Sequence, residues 1–118
     1  MHISNLIDQT KEKILINGHI YLDGLCKNYA DIIITNKRVL LGQNQNNAQT
    51  NISTCPIKGI SSLALQYCGN YTSTYYWLRI SSYGENSAIS AYFPDNQDWK
   101  NWAEKIYAVL NDLMLQYC

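Results

Sequence analysis

Charge is scarce in this sequence, and neither sign dominates. Lys plus Arg number 9 and Asp plus Glu number 9, and only 15% of the residues are charged. A balance near zero argues against strong non-specific attraction to nucleic acid or to anionic lipid, both of which need an excess of cations. The basic residues are also scattered along the chain, which speaks further against a nucleic-acid partner. The N-terminus, Met1-His2-Ile3-Ser4-Asn5, lacks a positive stretch followed by an apolar core, so no signal peptide is expected. No apolar run approaches the roughly 20 residues that span a bilayer. The expectation is a cytoplasmic protein for which membrane association is disfavoured.

Metal and catalytic signatures are missing as well. The four cysteines, Cys26, Cys55, Cys68 and Cys118, form no CxxC pair. The two histidines, His2 and His19, stand at no ligand spacing from them. Reduced thiols that pack as small hydrophobes are expected, with no metal and no cofactor. Nothing in the chain has the pattern of a nucleophile with its base and orienting group, a phosphate loop or a carboxylate pair. Cys26 with His19 is the best catalytic pair that can be assembled, and no spacing supports it. The sequence therefore predicts no enzyme, no catalytic residues and no small-molecule substrate.

What is present is enough for one domain of 118 residues with a real core. Asn, Gln, Ser, Thr and Tyr are plentiful, so the surface is polar but lightly charged, a composition that favours self-association. The most informative stretch is Asp31-Ile-Ile-Ile-Thr-Asn-Lys-Arg-Val-Leu-Leu-Gly42. It reads as a β-hairpin about Asn36-Lys37, with Asn36 able to supply the positive φ that a tight turn needs. That register sets Ile34 opposite Val39, Ile33 opposite Leu40 and Ile32 opposite Leu41. Ile32, Ile34, Val39 and Leu41 then share an apolar face. Asp31, Ile33, Thr35, Arg38 and Leu40 share a mixed one.

Before the hairpin, Ser4 to Leu15 has a weak apolar stripe, and residues 1–17 are expected to form an N-terminal helical segment ended by Asn17-Gly18. His19 to Leu25 alternates as a strand, with His19 an exposed residue lacking a partner. After the hairpin, Gln43 to Thr50 is polar and reads as a long solvated loop. A short strand from Asn51 to Cys55 ends at Pro56, and Gly59 to Tyr67 forms the next. Tyr75–Ser82 and Ala88–Phe93 then form a second hairpin about Gly84-Glu85. Its register sets Ile80, Leu78 and Tyr76 opposite Ile89, Ala91 and Phe93 on the inner face. Trp77 opposes Tyr92, and Arg79 opposes Ser90, on the outer one. The chain closes with a helix over 95–117, capped by Asp95, with Trp99, Trp102, Ala103, Ile106, Leu110 and Leu113 on one broad stripe. Trp102, mid-stripe, is expected to be buried.

The order of short helix, about seven strands and long C-terminal helix resembles a pleckstrin homology-like (PH-like) domain of the bacterial family. Asp31 to Leu41 is similar to that family's second strand, turn and third strand. Pro56 to Ile60 looks like its next short segment, and Leu78 and Ile80 match its apolar alternation in the sixth strand. The resemblance spans Ile14 to Leu110. It implies a mainly β fold, a PH-like barrel of two near-orthogonal antiparallel sheets capped by the C-terminal helix, with residues 1–118 as a single domain. It implies no catalytic residues.

Two binding readings follow. The outer face of the last hairpin places Tyr75, Trp77, Arg79 and Tyr92 together, residue types enriched at the centres of protein interfaces. This favours an interaction or self-assembly module whose partner is a protein or a second copy. The alternative is a lipid-headgroup binder using Lys27, Lys37 and Arg38. It is weakened because several donors must converge on one phosphate and the loop of residues 24–29 holds only Lys27.

If the thiols are reduced and structural, a reducing agent should leave the thermal midpoint of the protein unchanged within about 1 °C. A disulfide would be worth about 2–4 kcal/mol, and its reduction would lower the midpoint by several degrees. Scanning calorimetry with and without reductant separates the two.

Overall fold

The computed structural model describes residues 2–45, 48–83 and 88–117. Among these residues it has seven strands, β1 (Ile14–Tyr21), β2 (Tyr29–Thr35), β3 (Arg38–Gln45), β4 (Ala48–Pro56), β5 (Ile60–Gly69), β6 (Thr74–Ser82) and β7 (Ala88–Pro94), followed by one helix, α1 (Gln97–Gln116). All strand neighbours are antiparallel, in the order β4-β3-β2-β1-β7-β6-β5. The ladder is thin at one place: β1 and β7 share a single registered pair, Tyr21 with Tyr92. The curled sheet is thus a four-strand half and a three-strand half joined at a seam.

The first hairpin forms in the expected register, Ile34 to Val39, Ile33 to Leu40 and Ile32 to Leu41. Ile32, Ile34, Val39 and Leu41 lie in the main core with Leu78, Ile80, Phe93 and the inner face of α1. The turn itself differs from expectation. Asn36 does not take a positive φ; among the described non-glycine residues only Cys26 does, at φ 55. The Thr35 hydroxyl shapes the turn instead, accepting from the backbone N–H groups of Lys37 and Arg38 at 3.0 and 3.1 Å.

The other face of this hairpin is not simply mixed. Ile33 and Leu40 are fully buried, in a second apolar cluster with Ile3 and the partly buried Ile7 and Ile14. The N-terminal segment lies over the outside of the sheet to make this cluster, and it is not the expected helix. Only Ile3–Leu6 turns, as a short 3-10 helix, and β1 begins at Ile14. Asp8 diverts the segment: its carboxylate accepts from the Thr10 N–H and hydroxyl, a local bond that competes with helix formation. From Ile14 onward the chain pairs antiparallel with β2, and Ile16 and Ile20 point into the core. Asn17-Gly18 is strand interior, not a break.

Arg38 and Glu12 fasten the segment. The guanidinium donates to Glu12 through Nε at 3.2 Å and Nη2 at 3.0 Å, and through Nη2 to the Leu6 carbonyl at 3.0 Å. The Thr35 hydroxyl donates to Glu12 at 2.7 Å. Asn36 completes the tie, its N–H donating to the Lys13 carbonyl at 3.0 Å and its Oδ1 accepting from the Lys13 N–H at 2.7 Å.

Farther along, the described residues of the polar tract Gln43 to Thr50 are strand rather than loop, residues 46 and 47 lying outside the described ones. Strands β3 and β4 run through it, paired down to Asn44 with Gln49 and Gln45 with Ala48. Low hydrophobicity does not forbid a strand whose backbone bonds are supplied by its neighbour. The second hairpin has the expected register on both faces; its turn at Gly84-Glu85 lies outside the described residues. Helix α1 begins one cap later than read: Asn96, not Asp95, accepts from the Trp99 N–H at 3.0 Å. Asp95 is engaged elsewhere, accepting from the Tyr67 and Thr74 hydroxyls at 2.8 and 2.7 Å.

The inner face of α1 buries Ala103, Ile106, Leu110 and Leu113. Trp102 is half-buried rather than buried, because it closes over the free edge of β1. Its indole N–H donates to the His19 carbonyl at 2.8 Å, and its ring covers Gly18, where a Cβ would come within 2.4 Å of Cζ2. Gly18 is therefore required by close approach. Gly18→Ala should destabilise the protein by about 1–3 kcal/mol through overpacking, measured as a shift in urea midpoint; a change below about 0.5 kcal/mol would mean that the helix is not seated on this edge.

Burial works to raise the Glu12 carboxyl, but hydrogen bonds from Arg38 and Thr35 outweigh it and hold the group below the usual carboxylate range. A carboxyl held low stabilises the fold above its unfolded value of about 4.3, and the contribution fades as pH falls through the lower folded value. Glu12→Gln should lower the urea midpoint at pH 7, and its deficit relative to wild type should begin to shrink below the unfolded value of about 4.3 and vanish as pH falls through the lower folded value. A deficit that persists unchanged in acid would show that the carboxylate charge is not what holds the segment.

Candidate functional site

Strand pairing builds the outer face of the second hairpin as its sequence suggests. Trp77 and Tyr92 face each other across β6 and β7, their rings stacked at 5.9 Å with 6° between planes. Tyr75 meets the edge of Tyr92 at 5.5 Å. The Arg79 guanidinium lies over the Trp77 ring, 4.7 Å from its centre. All four are half-buried. The Trp77 indole N–H is itself buried and has no hydrogen-bond partner among the described residues.

Part of that burial comes from the chain itself. The loop after β1 crosses the end of this face, and Gly24 sits so close to Tyr75 that a Cβ there would be 2.9 Å from the ring. The loop is held by Asp23, whose carboxylate accepts from the N–H groups of Lys27 and Asn28 at 2.9 and 3.3 Å, and by Cys26 in its left-handed conformation. The remaining ring surface is open.

The aromatic face is wider than the last hairpin. Tyr92 is registered with Tyr21 across the seam, and Tyr21 with Tyr29 across β1 and β2. Tyr29, Tyr21, Tyr92 and Trp77 thus form one cross-strand row. Registered neighbours in a sheet project to the same side, and at roughly 4.8 Å per strand the row is about 14 Å long. Tyr21 and Tyr29 were missed because the strand was read to continue to Leu25. A strand stopping at Tyr21 would have set the two opposite each other; the step from Tyr21 to Tyr92 has no sequence signal.

His19 is not without a partner. Its Nε2 lies 2.8 Å from Asp31 Oδ1, and Nε2 of His2 lies 3.1 Å from Asp31 Oδ2. Gln49 donates to the same carboxylate at 2.6 Å and Asn44 at 3.3 Å. The Ser4 N–H donates to His2 Nδ1 at 3.1 Å, so the proton of the neutral ring resides on Nε2, facing Asp31. This cluster knits the N-terminus to β1, β2 and β4. Burial and the nearby Asp23 carboxylate push the Cys26 thiol up, the reverse of what an activated nucleophile needs.

The three basic residues of the lipid alternative do not gather. Arg38 is committed to Glu12 and the Leu6 carbonyl. Lys27 and Lys37 stand at opposite ends of β2, which at about 3.3 Å per residue separates them by roughly 20 Å or more. Among the described residues no helix is long and apolar enough to cross a membrane.

No family model and no curated protein matches the sequence. A solved structure does: the crystal structure of a pleckstrin homology domain from Shewanella amazonensis SB2B, 16% identical, with a TM-score of 0.57, covering 91% of this chain and 92% of that one. The likeness is one of fold: seven antiparallel strands in a curled half-barrel with a C-terminal helix, the PH-like architecture.

Proposed function

We propose that this chain is a non-catalytic interaction module that binds a protein, a second copy or another chain, through the outer face of β6 and β7. The observation that carries this reading is the layer of Tyr75, Trp77 and Tyr92, packed edge and face on one another, with Arg79 laid over the indole. The rings are held by their neighbours, so little side-chain entropy is lost when a partner covers them. An aromatic layer half in water gains hydrophobic free energy on further burial, and aromatic and arginine side chains are the usual anchors of protein interfaces. The PH-like fold supports the same reading, since it supplies a rigid sheet on which such a layer is displayed. Fold alone does not select the partner.

The lipid reading lacks a comparable layer: its three basic residues are dispersed, and Arg38 is tied down. Trp77→Glu combined with Tyr92→Lys should leave the circular dichroism spectrum native and weaken assembly by about tenfold or more. Tyr71→Ser, which removes a fully exposed and isolated ring, should change neither. Sedimentation velocity measures self-association, and capture on immobilised wild-type or variant protein measures binding of other chains. A folded double variant that associates as wild type does would refute the reading.

A further inference from the structure

Beside the β6–β7 face, across the seam, lies a cavity of about 330 Å³ lined by His19, Tyr21, Tyr29 and Trp99. A smaller one of about 230 Å³, lined by Gly18, His19, Asp98, Trp99 and Trp102, adjoins it through the two residues they share. The rings do not stack on one another and close the space. His19 meets Tyr29 at 66° and 5.7 Å, Tyr21 meets Tyr29 at 70° and 6.5 Å, and Tyr21 meets Trp99 at 54° and 5.4 Å. These edge-to-face and tilted contacts link the rings into one continuous aromatic lining. Tyr29 is half exposed, and Tyr21 and Trp99 keep part of their surface open.

The charged groups near this space include two carboxylates and Lys105, which lies over Trp102 of the smaller hollow. Asp98, in the first turn of α1, lines it, and Asp31 stands behind His19 as its hydrogen-bond partner. No Lys or Arg is among the lining residues. The chain shows elsewhere what its indoles attract. Of its three tryptophans, Trp77 carries Arg79 at 4.7 Å and Trp102 carries Lys105 at 5.9 Å. Among the described residues no such cation lies over Trp99, the indole of the cavity.

We propose that this cavity is an aromatic cage for an alkylammonium group, the end of a lysine-type side chain, methylated or not, on a partner protein. Ring faces present negative potential to a cation, and a nearby carboxylate adds to it. A neutral apolar group of the same shape would gain only the burial. The assignment of the cation to a protein rests on the interaction reading above, because the row Tyr29, Tyr21, Tyr92 and Trp77 makes cage and face parts of one surface.

The test needs no partner. N-acetyl-trimethyllysine methylamide is titrated into the full chain, with the indole N–H resonances followed by NMR. The Trp99 resonance should shift saturably, and the carbon isostere carrying a tert-butyl group should bind about fivefold or more weaker. Tyr29→Ala, which removes a half-exposed ring, and Asp98→Asn should each weaken the cation about three- to tenfold while the remaining resonances stay native. Equal affinity for cation and isostere, or no saturable shift, would overturn the cage. Free choline binding as tightly as the lysine derivative would overturn its assignment to a side chain. Failure here leaves the association test of Trp77 and Tyr92 untouched, so the two readings fall separately.

Discussion

The fold depends on a hairpin that is apolar on both sides. Ile32, Ile34, Val39 and Leu41 project inward from β2 and β3, while Ile33 and Leu40 project outward and are just as completely withdrawn from water. A sheet of this kind is stable only when something lies on each face. The inner cover is the second half of the curled sheet together with α1. The outer cover is the N-terminal segment, which lays Ile3, Ile7 and Ile14 along the hairpin with only Ile3–Leu6 turned as a short 3-10 helix. Fully burying an isoleucine is worth about 1.5–3 kcal/mol; Ile3 gains this in full and Ile7 and Ile14 in part, which fastens a segment with little regular structure of its own. The Glu12–Arg38 pair and the Asp31 cluster set where it lies, because each connects the segment or its flank to one fixed point on the hairpin.

The second constraint is the seam. A single registered pair between β1 and β7 leaves most of one edge of β1 without strand partners, and α1 is the element that reaches it. Trp102 supplies a donor to the His19 carbonyl and a ring to cover Gly18, so an aromatic residue of the helix takes over where the ladder ends. The same arrangement brings Trp99 against Tyr21. The docking of α1 that covers this edge therefore also adds Trp99 to the aromatic lining formed by His19, Tyr21 and Tyr29.

The surface that results carries one aromatic row, Tyr29, Tyr21, Tyr92 and Trp77, and is otherwise lightly charged. Sparse charge leaves short-range contact and ring electrostatics to decide what this protein binds, with long-range steering contributing little. Arg79 on the outer face lies over Trp77 and packs on its ring. Arg38, by contrast, is an internal clasp.

Both hairpins were legible from the sequence, down to the residue pairs, because a strand alternates with a period of two and a tight turn fixes its register locally. Trp77 and Tyr92 could be placed on one face by that argument alone. So could the apolar stripe of α1, from its three- and four-residue spacing. What the sequence did not determine is everything that joins distant segments: the laying of residues 3–14 on the hairpin, the meeting of His19 and His2 at Asp31, the pairing of Tyr21 with Tyr92, and the approach of Trp99. The N-terminal reading failed because a weak stripe of isoleucines is compatible with a helix, a strand or an extended cover, and only the outward-facing pair Ile33 and Leu40, which the segment buries, decides among them. Local propensity acts over a few residues, whereas these contacts are chosen by the burial that the whole chain can achieve together, and that quantity is defined only once the strands have closed.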